Sequence, residues 1–325
     1  MVKNAREVFR LETSFLGLMT HYAAIEAGGT TWVAALVAVN GDLAALEERI
    51  EVPTTAPAET ISKIKAWLSS HVTKVCAIGV ASFGPIDPKP SSSTFGFITS
   101  TPKPGWKNTD VVGLLGLRDE FMHIPFEFDT DVNAPAIAEY TMYAPPGSTS
   151  SAYVTVGTGV GVGLVINGKS VHGMLHPEGG HLQVKRMPGD TFEGSCPFHG
   201  DCIEGMVSTG ALAARTGLPA SELPSLPDGH EVWDAVAYYL AQLSCSLILL
   251  CSPEQIVFGG GVFNREILYA KIRAKTRDLL RDYIQHTSIL QDESLETLIC
   301  PSHWGQKAGI VGAVFLAKLA GEAHS

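Results

Sequence analysis

Apolar positions along the chain follow two rhythms, one suited to strands and one to helices. Tyr22 to Ala27 and Trp32 to Val39 are near-continuous apolar runs on either side of Gly28-Gly29-Thr30-Thr31. That pattern predicts a β-hairpin closed by a glycine turn. A third strand is expected near Arg49 to Val52. From Ala58 to His71 the spacing changes, with Ile61, Ile64, Trp67 and Leu68 recurring at helical intervals. Val75 to Ser82 is strand-like and runs into Phe83-Gly84-Pro85. Residues 88–104 are rich in Ser, Thr, Pro and Gly, as in a long loop, and long loops in compact domains often carry function. Leu114 to Met122 reads as a helix. Pro125 to Phe128 reads as a short strand leading to Asp129-Thr130-Asp131, and Asn133 is placed to cap a helix to about Tyr143.

After Ala144-Pro145-Pro146-Gly147-Ser148, the best linker candidate, the pattern restarts. Ala152 to Val156 predicts a strand, Gly157-Thr158-Gly159 a turn and Gly161 to Ile166 a second strand. This unit echoes the first hairpin about 130 residues earlier, which suggests two related halves. Further on, Val232 to Leu250 predicts a long apolar helix and Gln255 to Phe258 a strand entering Gly259-Gly260-Gly261. Glu266 to Asp282 predicts an amphipathic helix, and Lys307 to Ala320 a closing apolar one. A hairpin-rich start followed by strand–helix alternation predicts an α/β fold, and 325 residues suit two domains or one large one.

The net charge of −10 disfavours nucleic acid and anionic membrane as partners. No run is read as approaching the ~20 apolar residues of a membrane span. In residues 1–20, Lys3, Arg6 and Arg10 among apolar neighbours hint at a targeting helix, whereas Glu7 and Glu12 argue against one. The stretch is expected to be a frayed extension, with Met19 a possible natural start. Four of the six cysteines, Cys76, Cys245, Cys251 and Cys300, sit singly in apolar surroundings and read as buried thiols. The other two, Cys196 and Cys202, are close together with a histidine between them, which suits a metal site in a reducing, cytoplasmic setting rather than a disulfide framework.

Three glycine turns each follow a predicted strand: Gly28, Gly29, Thr30 and Thr31; Gly157, Thr158 and Gly159; and Gly259, Gly260 and Gly261. Glycine lets backbone N–H groups converge on phosphate oxygens, and threonine adds a hydroxyl. One such turn is ordinary; three together favour a nucleotide. None is a Walker A loop or a dinucleotide fingerprint. Asp131 lies between a strand and a helix, where a carboxylate can take a proton from a substrate hydroxyl; capping that helix is the simpler reading of Asp129 and Asp131. His181, Cys196, His199 and Cys202 form a metal constellation, with C-x2-H-x2-C spacing in its second part. Four such ligands make a closed, structural zinc site. The deaminase signature is absent. Glu178 and Glu204 flank the cluster and could accept hydrogen bonds from sugar hydroxyls, or be surface acids.

In the order Ile25 to Thr30, Asp129 to Asn133, Gly157 to Gly161, Pro177 to His181 and the Cys/His cluster, the chain resembles the ROK family of sugar kinases and repressors from about residue 22 to 320. Thr101-Pro102-Lys103-Pro104-Gly105-Trp106 and the Asp-Thr-Asp form resemble its fructokinase branch. The resemblance implies two actin-like, ribonuclease H-like domains around a central cleft. The expected division is an extension at 1–21, a small domain at 22–136 with the closing helix 306–325, and a large domain at 137–305 carrying the zinc loop. It implies ATP phosphates at the first two glycine turns and adenosine at the third. Asp131 is implied as catalytic base, with Glu178, His181 and Glu204 by the sugar, a hexose 6-phosphate product and Mg²⁺ with ATP. It also implies a homodimer. Fructose is the expected sugar, with mannose or a broad hexose range, or a non-catalytic sugar sensor, as alternatives. Glu26 replaces the common Asp of the first loop, Thr31 a frequent Lys or Asn, and Thr130 the Asn of glucokinases; Pro135 stands where small residues are usual. The extension is too short for the DNA-binding helices of repressor members.

Overall fold

The structure, a computed structural model, describes residues 7–10, 19–40 and 43–324. The expectations drawn from Lys3, Arg6 and Glu12 lie outside these residues. In chain order the elements are β1 (Glu7–Arg10), β2 (Thr20–Ala27), β3 (Thr31–Asn40), β4 (Leu43–Pro53), α1 (Pro57–His71), β5 (Ala77–Ser82), β6 (Phe97–Ile98), β7 (Thr109–Asp110), α2 (Val111–Leu114), β8 (Phe126–Thr130) and α3 (Asn133–Tyr143). There follow β9 (Ser150–Val156), β10 (Val160–Ile166), β11 (Lys169–Ser170), α4 (Ile203–Val207), α5 (Thr209–Thr216), α6 (Val232–Cys251) and β12 (Ile256–Gly259). The last are α7 (Ile267–Leu280), α8 (Thr287–Leu290), α9 (Asp292–Leu298), β13 (Ile299–Pro301) and α10 (Ala308–Glu322).

The chain forms two α/β units. The first holds the described residues through Ala138, the segment His172–His176 and the chain from Lys307 onward; the second holds Glu139–Val171 and Pro177–Gln306. Unit 1 carries a sheet of order β1-β4-β3-β2-β5-β8 and unit 2 one of order β11-β10-β9-β12-β13. Both sheets share a pattern. A hairpin (β2–β3, β9–β10) pairs antiparallel, and its first strand continues into two parallel neighbours (β5 and β8; β12 and β13). The repeat seen in the sequence is therefore a repeat of topology, as in actin-like folds.

Local chemistry explains most elements. Helix α1 starts with Pro57 in its first turn and Glu59 beside the positive helix end, and it buries Ile61, Ile64, Trp67 and Leu68. Each such aliphatic side chain contributes about 1.5–3 kcal/mol. The long loop is fastened by Trp106, fully buried, whose Nε1 donates to Thr55 O at 2.8 Å and whose ring lies 5.5 Å from that of Trp32. Helix α6 departs from the expectation of no apolar run near 20 residues: it is 20 residues long and apolar enough to cross a membrane by length and composition. Its apolar character serves the core of unit 2, where Val236, Tyr239, Leu240 and Leu243 are fully buried.

Three local expectations differ from the structure. Residues 7–10 are not frayed but pair antiparallel with β4, Glu7 opposite Leu46. The predicted helix at Leu114 to Met122 is a run of turns after α2, because Gly116 takes a left-handed φ of +83°. Among the four single cysteines only Cys300 is buried, while Cys76, which precedes β5, is exposed.

Candidate functional site

Register places the chemistry of unit 1. Ala27, Ser82 and Thr130, the last residues of the parallel strands β2, β5 and β8, stand side by side. Gly28, Phe83 and Asp131 therefore leave the sheet at one edge, the carboxyl ends of the strands, where open α/β sheets bind ligands. Strands lie about 4.8 Å apart, so the backbones at Gly28 and Asp131 are roughly 10 Å apart. The glycine turn is held by its own Gly28 N–H to Thr31 O bond (3.1 Å) and by Thr54, whose hydroxyl donates to Gly28 O (2.8 Å). Gly29 and Thr30 stand at its tip, while Thr31 begins β3. Asp131 N–H donates to Ser82 O at 2.9 Å.

Helix capping falls to the neighbours of Asp131. Thr130 Oγ1 accepts the Asn133 N–H at 2.9 Å, and Asp129 Oδ1 accepts from Thr130 N–H and Asn133 Nδ2. Asp129 is 1% exposed and also meets His172. The sequence singled out Asp129 and Asp131 together; the structure gives Asp129 a buried structural role and sets Asp131 just past the end of β8.

Glu26, the last acid of β2, is partly buried. Desolvation, then the like charge of Asp131, pushes its carboxyl up to about 7, partly offset by Arg49. Gly309, in the first turn of α10, makes room for it: a Cβ there would lie 2.1 Å from Glu26 Oε1. A carboxyl whose pKa is raised by folding costs nothing below its ordinary value of 4.5, and the cost grows as pH rises through about 7. Glu26→Gln therefore stabilises the protein at pH 8 by roughly 1–3 kcal/mol after allowing for solvent screening, and by less toward pH 5. Thermal melts at the two pH values check this, and an equal gain at both removes Glu26 as the source.

Unit 2 repeats the edge. Thr155 of β9 pairs with Gly259 of β12, so the turns Gly157–Gly159 and Gly259–Gly261 emerge as neighbours. Gly260 has φ +89° and packs against Val156, which excludes a side chain there. Gly157 N–H donates to Gly159 O at 2.9 Å, leaving Thr158 exposed at the tip. Glu204, on α4, accepts the Val160 N–H at 3.0 Å and so buttresses this turn. Desolvation by surrounding protein and then the like charge of Glu204 push Glu178 up to about 7, although Glu178 still touches solvent. A cavity of about 450 Å³ opens beside Gly261, lined also by Thr209, Leu212, Trp233, Asn264 and Arg265. Arg265 is fixed over the Trp233 ring, 4.9 Å from its centroid, by bonds to Asp228 and Pro224 O.

The four ligand atoms of His181, Cys196, His199 and Cys202 lie within 4.8 Å of one another. Cys196 Sγ is 3.7 Å from Nδ1 of both His181 and His199, and Cys202 Sγ is 3.6 Å from His181 Nδ1. A tetrahedral zinc ion with Zn–S about 2.3 Å and Zn–N about 2.0 Å requires N···S spacings of about 3.5 Å, so the set fits such an ion. Reciprocal bonds between Cys196 and Gly200 shape the turn that carries three of the ligands. Burial pushes the Cys202 thiol up to about 12, and a divalent cation would reverse that by binding the thiolate. Sequence reading missed a second fastener of this loop. Arg215 makes a bidentate pair with Asp190 (3.0 and 2.8 Å), to which Tyr239 OH also donates. Against the upward push of burial, these bonds hold the Asp190 carboxyl at about 2. Residues so far apart in sequence give no periodic signal.

The ROK family profile matches residues 22–320. A fructokinase of Streptococcus mutans is 42% identical over 266 residues, covering 81% of this chain and 87% of that protein. A fructokinase of Zymomonas mobilis is 40% identical over 301 residues, covering 91% and 96%. The crystal structure of a ROK family glucokinase from Streptomyces griseus, in complex with glucose and AMPPNP, superposes with a TM-score of 0.68 at 22% identity, covering 93% of this chain and 100% of that one. By profile, by identity and by fold, this chain belongs to the ROK family.

Proposed function

We propose that the protein transfers the γ-phosphoryl group of Mg-ATP to a hexose, D-fructose, giving fructose 6-phosphate. The carrying observation is the register in unit 1, which sets the backbone of a phosphate-type glycine turn and that of Asp131 on one sheet edge, roughly 10 Å apart. That spacing suits a carboxylate and a phosphate-binding backbone with a hydroxyl group between them. Fructokinase relatives at about 40% identity support the sugar and the nucleotide.

In this reading Asp131 accepts the proton of the attacking hydroxyl as its oxygen meets the γ-phosphorus in line. The N–H groups at Gly28–Thr31 and Gly157–Gly159 take the phosphate oxygens, and Mg²⁺ accompanies the nucleotide. We assign the adenosine to the cavity beside Gly259–Gly261, whose Trp233 and Leu212 offer apolar surface and whose Asn264 and Thr209 offer polar groups. Glu178, His181 and Glu204 lie toward the sugar. Zinc, held by His181, Cys196, His199 and Cys202, would supply no chemistry; it would pin the loop that carries the sugar-facing groups.

The test is a panel of fructose, mannose and glucose with Mg-ATP, compared by kcat/KM. Fructose is expected to lead, because each sugar offers different hydroxyls to the same fixed partners. A lead for mannose or glucose overturns fructose alone, and no phosphorylation of any sugar overturns the kinase assignment.

A further inference from the structure

The segment His172–His176 belongs to unit 1 although the chain on both sides of it belongs to unit 2. Two histidines fasten it. His172 Nε2 lies 3.0 Å from each carboxylate oxygen of Asp129. His176 Nε2 accepts the Ile86 N–H at 3.0 Å. Between them the tip closes through Gly173 N–H to Leu175 O at 2.9 Å, leaving Met174 94% exposed. The clasp adjoins both halves of the chemistry along the chain: Asp131 follows Asp129 by two residues, and Glu178 follows His176 by two.

We infer that His172 is a positioning residue: clasped to Asp129, it fixes the segment that leads into Glu178 and thereby sets the affinity for sugar. The inference rests on the sugar-kinase reading above. Its physical basis is the burial of Asp129. A buried carboxylate requires a charged partner or a full set of donors. Thr130 N–H and Asn133 Nδ2 are neutral donors to it, and the ion pair it makes among the described residues is with His172. The bond to Asp129 raises the His172 pKa against the opposing effect of burial. The charged groups that face the ring are Asp129 and Glu127, both on β8.

The sign follows. A histidine whose pKa is raised on docking contributes its full stabilisation below its ordinary value, and loses it as pH rises through the raised one. The neutral ring still donates from Nε2, so the clasp weakens on the alkaline side rather than vanishing. His176 works in the opposite sense, because it serves as an acceptor and protonation at Nε2 would remove that bond. The alkaline limb is therefore His172's own.

The experiment measures KM for fructose and kcat from pH 6 to 9 in the wild type, His172→Ala and His172→Gln. A hydrogen bond to a charged group contributes about 1.5–3 kcal/mol, so His172→Ala should raise KM about tenfold or more at pH 6.5 while kcat falls far less. In the wild type KM should climb above neutral pH. His172→Gln, a neutral donor, should partly restore KM and flatten its pH dependence. Deuterium uptake by the peptide spanning residues 171–178 gives a readout without catalysis, and it should quicken in His172→Ala. Unchanged uptake overturns the clasp, and faster uptake with wild-type KM overturns its role in sugar affinity. If the wild type phosphorylates no sugar, the kinase assignment fails while uptake still decides the clasp.

Discussion

Asp131→Asn lowers kcat for sugar phosphorylation by about 10²–10⁴-fold, the usual contribution of a positioned general base, with little change in sugar KM. The amide has the size of the carboxylate but cannot take the proton. The backbone bond from residue 131 to Ser82 O does not involve the side chain, so the strand end keeps its place. Removing this negative charge also removes one of the influences that raise Glu26. The Glu26 carboxyl should then titrate lower in the variant, a change that NMR can follow without turnover. Asp129→Asn offers a contrast: it strikes the buried network of Thr130, Asn133 and His172, and should act through stability and, by loosening the His172 clasp, through sugar KM rather than through kcat. Near-normal turnover in Asp131→Asn, with folding intact, removes this residue as the base.

Stripping the metal, or Cys202→Ser, should lower Tm by at least about 10 °C, several kcal/mol for a domain of this size, and lower activity in parallel. Zinc binding in small domains is worth about 10–16 kcal/mol at neutral pH. The effect here should be smaller, because the same loop is held by the Asp190–Arg215–Tyr239 cluster, which needs no metal. Elemental analysis should find one zinc per chain, and restoring zinc to the stripped protein should restore both Tm and activity. An unchanged melt after stripping shows that the hydrogen-bonded cluster alone holds the loop. A protein that is active with no zinc bound ends the structural assignment of the ion.

Both outcomes concern groups at opposite extremes of legibility. The His/Cys cluster is legible because three of its four residues lie within seven positions, where local turn geometry nearly dictates their approach. The glycine turns are legible for a similar reason, since short apolar runs on both sides of a glycine pair leave the backbone few alternatives. Asp131 is only half legible. Its place after a strand can be read, but that Thr130 and Asp129 bind Asn133 at the start of the next helix is set only in the packed chain. His172 and Asp129 stand 43 residues apart and share no period, so no pattern in the sequence links them.

By itself, the sequence determined the two hairpins, the helical face of α1, the apolar helix α6, the His/Cys cluster and the family, because each is written in short-range spacing that restricts the backbone directly. The tertiary structure decided what is set by register and burial. It aligned the ends of β2, β5 and β8, raised Glu26 beside Asp131, assigned Glu204 to the Val160 N–H and joined His172 to Asp129. Proton affinity and hydrogen-bond choice depend on which distant groups share a desolvated space, and only the packed chain brings those groups together.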